Sequence, residues 1–257
     1  MKSGISMIEQ SARANRISLA LSVVLLFLVA QSSPLAAQLL GAIPALPPVV
    51  VTQTSDGLTA TIGDETLRIS VCNASVVHVI ATPKAPASIK DDPWILDPKQ
   101  SCPGAKFQFA QTDEAAVLTT ANLKVELSLK RGNLKYSSIG GELLLRESDA
   151  IPRTYEPAQV NGESVYHVAD RFSPDVTEGF YGLGQHQSGM FNYRGSTVEL
   201  GQNNTDVALP LLVSSKGYAL LWNTASFTYA DNRFPLAFEF SSLAADSVDY
   251  YLIYGPE

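Results

Sequence analysis

The sequence predicts an all-β fold, a large antiparallel β-sandwich, and three observations support this prediction. Residues 121–130 (ANLKVELSLK) alternate between apolar and polar side chains, which is the period of a half-buried strand. Short apolar runs recur at spacings of roughly 8–15 residues, with turn residues between them. Beyond residue 37 no sustained apolar stripe has the helical period, so a doubly wound sheet with alternating helices is disfavoured.

The predicted strands are short apolar or alternating runs bounded by turn residues. In chain order they cover residues 59–62, 67–71, 76–81, 116–120, 121–130, 134–138, 142–146, 165–168, 209–214, 218–223, 236–240 and 248–254. The turn residues Arg131, Gly132 and Asn133 predict a hairpin between two of these runs. Segments 83–106 and 147–164 are rich in Pro, Asp and Ser and are predicted to be long loops.

An export signal is predicted at residues 1–37. Arg13 and Arg16 precede a short apolar run at 17–30, and small residues with a proline follow it. The run is shorter than the roughly 20 residues that a membrane-spanning helix needs. We therefore expect cleavage and export to the periplasm or the extracellular space, with no membrane contact after cleavage.

Length and charge limit the domain organisation and the partners. Prolines at 44, 47 and 48 indicate a linker at residues 38–50, and the remaining residues 51–257 suit one large all-β domain. This length leaves no room for an additional (β/α)₈ barrel of roughly 250 residues. The net charge of −7 argues against nucleic acid and anionic membranes as partners.

Two cysteines remain after the leader, Cys72 and Cys102. An oxidising compartment would allow a disulfide between them, but spacing along the chain does not decide whether their Cα atoms come within bonding range. Neither cysteine has a second Cys or a His at ligand spacing, so no metal site is predicted. No cofactor motif is recognised either, because the glycine cluster at 179–187 lacks a phosphate-loop pattern and indicates turns leading into a strand.

The three histidines give no catalytic constellation by spacing. His78 lies within an apolar run and is predicted to be packed and hydrogen-bonded. His167 stands beside Asp170 at a predicted strand end, and His186 follows the glycine cluster. Either of these two would be needed for a mutarotase-like epimerase, which moves a proton at a sugar hydroxyl.

The acidic residues are scattered over predicted strands and turns, and nothing in their spacing selects the pair that glycoside hydrolysis requires. Surface carboxylates are therefore expected for nearly all of them, and no catalytic residue is predicted. The acids considered are Asp64, Glu65, Asp91, Asp92, Asp113, Glu114, Glu126, Glu142, Glu178, Glu199, Asp206, Asp246 and Asp249.

An amide-rich segment at 202–206 is the most distinctive polar stretch. It contains Gln202, Asn203, Asn204 and Asp206, and an apolar hairpin follows it. Amides and carboxylates on a rigid sheet supply the donors and acceptors that sugar hydroxyls need. An Asn-rich turn capped by its own side chains explains the segment equally well.

This stretch and its neighbours resemble the N-terminal β-sandwich of glycoside hydrolase family 31, the α-glucosidases and α-xylosidases. The similar pieces are EGFYGLGQH at 178–186, NNTD at 203–206, GYALLWN at 217–223 and DYYLIYGP at 249–256. The resemblance extends over roughly residues 50–257 and implies a galactose-mutarotase-like supersandwich. It also implies contact of Asn203, Asn204 and Asp206 with an α-xyloside or α-glucoside oligosaccharide.

The sequence differs from that family in the motif that carries the catalytic nucleophile. The family's nucleophilic Asp stands in a W-x-D-M-type motif on its catalytic barrel, and the only tryptophans here are Trp94 and Trp222, neither in that motif. We therefore expect a non-catalytic domain whose barrel is missing or separately encoded. A stand-alone carbohydrate-binding module is the alternative, with aromatic platforms at Trp222, Tyr218, Tyr229 and Phe227.

Overall fold

A computed structural model of the protein describes residues 48–84, 102–234 and 236–255. Within these ranges it contains eighteen strands and no helix, and so no helix that could cross a membrane. The predicted all-β antiparallel fold is confirmed. The predicted leader, most of the predicted linker and Trp94 lie outside the described residues.

The strands are short, and most are joined by tight turns. In chain order they are β1 (Val49–Gln53), β2 (Gly57–Ile62), β3 (Glu65–Asn73), β4 (Val76–Thr82), β5 (Gln108–Gln111), β6 (Ala115–Thr119), β7 (Leu123–Ser128), β8 (Leu134–Ser138), β9 (Leu143–Arg146), β10 (Arg153–Val160), β11 (Glu163–Phe172), β12 (Phe180–Gln185), β13 (Thr197–Leu200), β14 (Val207–Ser214), β15 (Tyr218–Trp222), β16 (Thr228–Asp231), β17 (Phe238–Ala245) and β18 (Val248–Tyr254).

Three antiparallel sheets contain these strands. The first has eight strands in the order β1-β2-β3-β4-β18-β15-β14-β12, so the last strand returns to the centre beside β4. The second has the order β10-β11-β17-β16-β13, and the third is the meander β5 to β9. One large core cluster contains apolar side chains from all three sheets, and the alternation predicted for 121–130 places Leu123, Val125 and Leu127 of β7 in it.

The prediction of a long loop at 147–164 is wrong, because β10 runs through it and pairs with β11 along its whole length. Pro157 is tolerated because β10 is an edge strand, where a missing N–H leaves no ladder partner unpaired. Asn161 and Gly162, both with positive φ, form the turn to β11. At the other end of the chain, β1 begins at Val49, so the last residues of the predicted linker belong to a strand.

Cys72 and Cys102 form a disulfide in the structure. Cys72 lies on β3, and its side chain belongs to a second, smaller apolar cluster with Leu221 and Tyr251. The disulfide therefore ties the segment before β5 to the eight-stranded sheet.

A buried ionic cluster centred on Arg153 connects the three sheets. The Arg153 guanidinium donates to Glu147 at 2.5 Å, to Glu65 on β3 at 2.9 Å and to the Gly132 carbonyl at 2.7 Å. Glu147 follows β9 and forms a β-bridge with Phe172 of β11, so the third and second sheets also meet through their backbones. The Glu147 side chain is fully buried, and its charge is compensated by the guanidinium.

Two tyrosines and an aspartic acid lie against this cluster. The hydroxyls of Tyr136 on β8 and Tyr250 on β18 are 2.6 Å apart and fully buried. Burial, followed by the charge of Glu147, raises the pKa of Asp170 on β11 well above its ordinary value. Burial therefore favours the protonated form of Asp170 more than it would for an exposed aspartic acid.

Replacing Arg153 with methionine should destabilise the domain by about 3–5 kcal/mol, because it leaves Glu147 buried without its cation. Arg233→Met is the matched control, since Arg233 is exposed and pairs with Asp231 two residues away. An exposed pair of this kind contributes at most about 1 kcal/mol. Urea unfolding of both variants measures the difference, and equal losses would contradict the assigned role of Arg153.

Stability should also depend on pH through Asp170. Its folded-state pKa lies above its unfolded value, so the folded state binds the extra proton and stability falls as pH rises from about 4 through the folded pKa. The limiting slope is about 1.4 kcal/mol per pH unit. Asp170→Asn keeps the shape without the titration, so the stability of the variant relative to wild type should increase with pH in urea unfolding. Parallel stability curves would show that Asp170 is ionised in the folded domain.

Candidate functional site

The amide-rich loop connects β13 to β14 at one end of the first sheet. Asn203 and Asn204 are exposed, and Asp206 is half-buried. A turn with Asp206 N–H donating to the Asn203 carbonyl at 3.4 Å shapes the loop, and Thr205 adopts a left-handed conformation with φ of 73°. The side chain of Gln187 donates to Thr205 Oγ1, and its backbone N–H donates to Asp206 at 3.3 Å. The loop is therefore held against the segment that follows β12.

A bulge in the pairing of β12 with β14 lies just before that following segment, and its extra residues are on β14. Gly182, Leu183 and Gly184 have φ values of 91°, 60° and 100°, and the register with β14 shifts between the two glycines. A left-handed conformation is uncommon for a residue such as Leu183, whose side chain is fully buried. Its carbonyl accepts a 2.8 Å hydrogen bond from Nε2 of His186, which orients the imidazole. The glycine cluster is thus part of a strand, and the predicted turns ahead of a strand are replaced by positive-φ residues opposite a bulge in β14.

A surface pocket lies between the segment after β12, strand β13 and the loop. Its volume is about 240 Å³. We call it the loop pocket and define it by six of its lining residues, His186, Met190, Tyr193, Glu199, Asn203 and Asp206. The lining combines two carboxylates, an amide, an imidazole and a thioether, so it offers hydrogen-bonding groups beside an apolar surface.

A second pocket of about 260 Å³ lies on the other side of the same loop. Gln202 and Phe227 line it, together with Thr224 and Ser226. The Phe227 ring packs directly on Gly201, where an added Cβ would approach it to 2.2 Å. The loop is therefore a ridge with a pocket on each side.

A family model described as the glycosyl hydrolase 31 N-terminal galactose mutarotase-like domain matches residues 66–231. This match includes more than half of the chain and contains the bulge, the loop and the loop pocket. The chain belongs to this family. The resemblance noted in the sequence is thereby confirmed.

Relatives of the family 31 domain include three larger proteins. The α-xylosidase of Saccharolobus solfataricus is 38% identical over 104 residues, which are 36% of this chain and 14% of that protein. An uncharacterised family 31 glucosidase of Pseudescherichia vulneris is 26% identical over 75% of this chain and 37% of its own length. The α-xylosidase A of Aspergillus niger is 26% identical over 77% of this chain and 29% of its own length. The chain therefore spans well under half of each relative.

Solved structures show the same fold. A family 31 α-xylosidase from a soil metagenome, complexed with xylose, superimposes with a TM-score of 0.70 over 80% of this chain and 32% of that chain, at 24% identity. The family 31 α-xylosidase of Xanthomonas citri gives a TM-score of 0.61 over 73% of this chain and 20% of that chain, at 31% identity.

Within the family 31 domain, the structure brings two of the three expected substrate-contact residues to one place. Asn203 and Asp206 line the loop pocket, whereas Asn204 is exposed on the ridge and is not among its lining residues. Sequence reasoning missed Glu199 as their neighbour. The alternation of Thr197 to Leu200 marks β13 as a strand with Glu199 outward, but only the fold places it beside the loop.

The histidines occupy three different settings. His78 is buried, 2.7 Å from Asp249 and stacked on Tyr251, so its predicted packed and hydrogen-bonded state is confirmed. His167 is exposed on β11 opposite Glu156 of β10. His186 is the histidine that lines the loop pocket.

The expectation of surface carboxylates is wrong for Glu178 and Asp249. Glu178 is 2% exposed and accepts hydrogen bonds from the hydroxyls of Ser214 and Tyr218, which anchors the start of β12 to the β14–β15 hairpin. Asp249 is buried beside His78. Both carboxylates stabilise strand pairings and cannot reach a ligand.

Two of the four aromatic platforms proposed for a stand-alone binding module are core residues. Trp222 and Tyr218 are 1% and 2% exposed, and the Trp222 ring stacks on Phe240 at 5.1 Å. Phe227 and Tyr229 are half-buried and contact each other edge-on. Among the described residues, no group of three or more His, Cys, Asp or Glu side chains has a geometry that could hold a metal ion.

The bulge requires glycine at 184, because an added Cβ would stand 1.9 Å from the Val207 carbonyl oxygen. Gly184→Ala should therefore destabilise the domain by about 1–3 kcal/mol more than Gly189→Ala. Gly189 is a matched control, since it also has positive φ but has open space around its Cα. Urea unfolding of the two variants measures the clash together with the greater backbone cost at Gly184, whose φ of 100° lies outside the left-handed region that contains the 68° of Gly189. Equal destabilisation would mean that β14 moves away without cost.

Proposed function

We propose that this chain is the non-catalytic N-terminal domain of an exported family 31 α-glycosidase. The parent reaction is retaining hydrolysis of terminal α-xylosyl or α-glucosyl residues. The family match over residues 66–231 is the observation that carries the proposal, together with relatives that are several times longer than the matched region. Two of the three relatives are named α-xylosidases, which favours an α-xyloside, and the third is named a glucosidase.

In this function the loop supplies polar contacts to the sugar. Asn203 and Asn204 present amides and Asp206 presents a carboxylate at the exposed end of the domain. These groups can donate to and accept from sugar hydroxyls. The two hydrogen bonds from Gln187 hold the loop in place before a ligand binds, which lowers the entropic cost of binding.

The exposed face of β14 supports a protein partner for the domain. Val207, Leu209 and Val213 are 52%, 55% and 40% exposed and point to the same side of the strand. An apolar strip of this kind on a soluble domain favours burial against another protein surface. A catalytic (β/α)₈ barrel, either separately encoded or joined to this domain, is the proposed partner.

The positions of the described acids support the proposed non-catalytic role. Asp170 is the described carboxyl group whose pKa is raised well above its ordinary value, as a general acid requires, but it is fully buried and touches no solvent. Glu199 and Asp206 line a pocket together, and they are the pair that a test of turnover must address.

The purified chain should release neither xylose nor glucose from aryl α-glycosides, because no acid and nucleophile are assigned as a catalytic pair among the residues that the structure describes. Release of the aryl group is measured by absorbance, with an intact family 31 α-xylosidase as the positive control. Turnover that disappears in Glu199→Gln or Asp206→Asn would refute the proposal, since contamination by a host enzyme would not respond to these changes.

A further inference from the structure

We infer that the loop pocket binds one neutral pyranose ring in the absence of a catalytic domain, with Glu199 and His186 as its specificity-determining residues. The inference takes the substrate class from the proposed function. The binding site itself rests on the geometry of residues that the resemblance to the family does not assign.

The size of the pocket limits the ligand. Its volume of about 240 Å³ is below the roughly 300–1,000 Å³ of pockets for drug-sized molecules. The loop and the segment after β12 both contribute to its lining, and the pocket is open to the surface. One sugar ring fits this space, and a longer glycan would extend out over the exposed ridge.

Two exposed polar groups line the pocket from different elements. Glu199 projects from β13 and Asn203 from the loop, and within the described part of the chain neither side chain forms a hydrogen bond or an ion pair. A carboxylate accepts from sugar hydroxyls, and an amide both donates and accepts. Their presence on separate elements gives a ligand two independent contacts.

His186 is held in one orientation by the bulge. Its Nε2 atom is 2.8 Å from the Leu183 carbonyl, which can only accept, so Nε2 carries a hydrogen. In the neutral ring Nδ1 then has the lone pair and accepts from a hydroxyl. The imidazole also packs edge-on against the Tyr193 ring, with the two ring centroids 6.2 Å apart.

The remaining lining suits a sugar more than other ligands. Met190 is 50% exposed and gives an apolar wall for the C–H face of a pyranose ring. The lining contains two carboxylates and no Lys or Arg, so an anionic sugar would be repelled. The expected ligand is therefore a neutral hydroxyl-rich ring such as xylose or glucose, and glucuronate should be rejected.

Ligand titration followed by NMR tests this inference on the whole chain. Xylose and glucose should shift the amide signals of residues 186–206 in a saturable manner, and glucuronate should not. Glu199→Gln and His186→Ala should each weaken binding about tenfold, as expected for the loss of a hydrogen bond to a charged or oriented group. Glu163→Gln is the control, because Glu163 is exposed at the turn between β10 and β11 and should leave binding unchanged.

Absence of saturable binding, or binding that survives both pocket variants, would overturn the inference. Binding that requires added Ca²⁺ would overturn it as well, since it would identify a cation site. Urea unfolding with an unchanged midpoint ensures that a weakened variant is folded. Failure here leaves the proposed function intact, because that function is tested by the absence of turnover and requires no sugar affinity from the isolated chain.

Discussion

The fold depends on one buried cation. Arg153 connects the three sheets by hydrogen bonds. Its guanidinium donates to Glu65 on the first sheet, and to Glu147 and the Gly132 carbonyl in the segments that adjoin the strands of the third. It belongs to β10 in the second sheet, which is an edge strand with a proline in it. Burying such charges costs free energy, and loss of Arg153 would leave Glu147 buried without its cation.

The candidate site depends on a second local constraint, the bulge in the pairing of β12 with β14. Strand pairing with β14 brings the loop close to the end of β12, and the bulge then turns His186 toward it. Backbone conformations of this kind persist only where the surroundings impose them. The burial of Leu183 and the approach of the Val207 carbonyl to Gly184 supply those surroundings. The loop pocket is therefore shaped by the sheet, and hydrogen bonds hold the side chains of His186 and Asp206 without a ligand.

Local patterns were sufficient for most of the fold, whereas the site needed tertiary information. The strict alternation in β7 and the long apolar run of β18 identify strands because period and burial coincide there. β10 was missed because Pro157 and several polar residues interrupt the apolar pattern of a strand exposed at an edge. The sequence could not predict that Glu199 and Asp206 line the same pocket. Their placement depends on the order of the strands in the sheets and on a bulge whose register shift no spacing rule predicts.

The central claim is that this family 31 domain presents a sugar-contact surface without a nucleophile of its own. Incubation with a fluorinated α-xylosyl or α-glucosyl inactivator, followed by intact-protein mass spectrometry, tests it most directly, because retaining glycosidases are trapped as covalent glycosyl-enzymes. The account predicts an unchanged mass. A stoichiometric glycosyl adduct on Glu199 or Asp206 would contradict it.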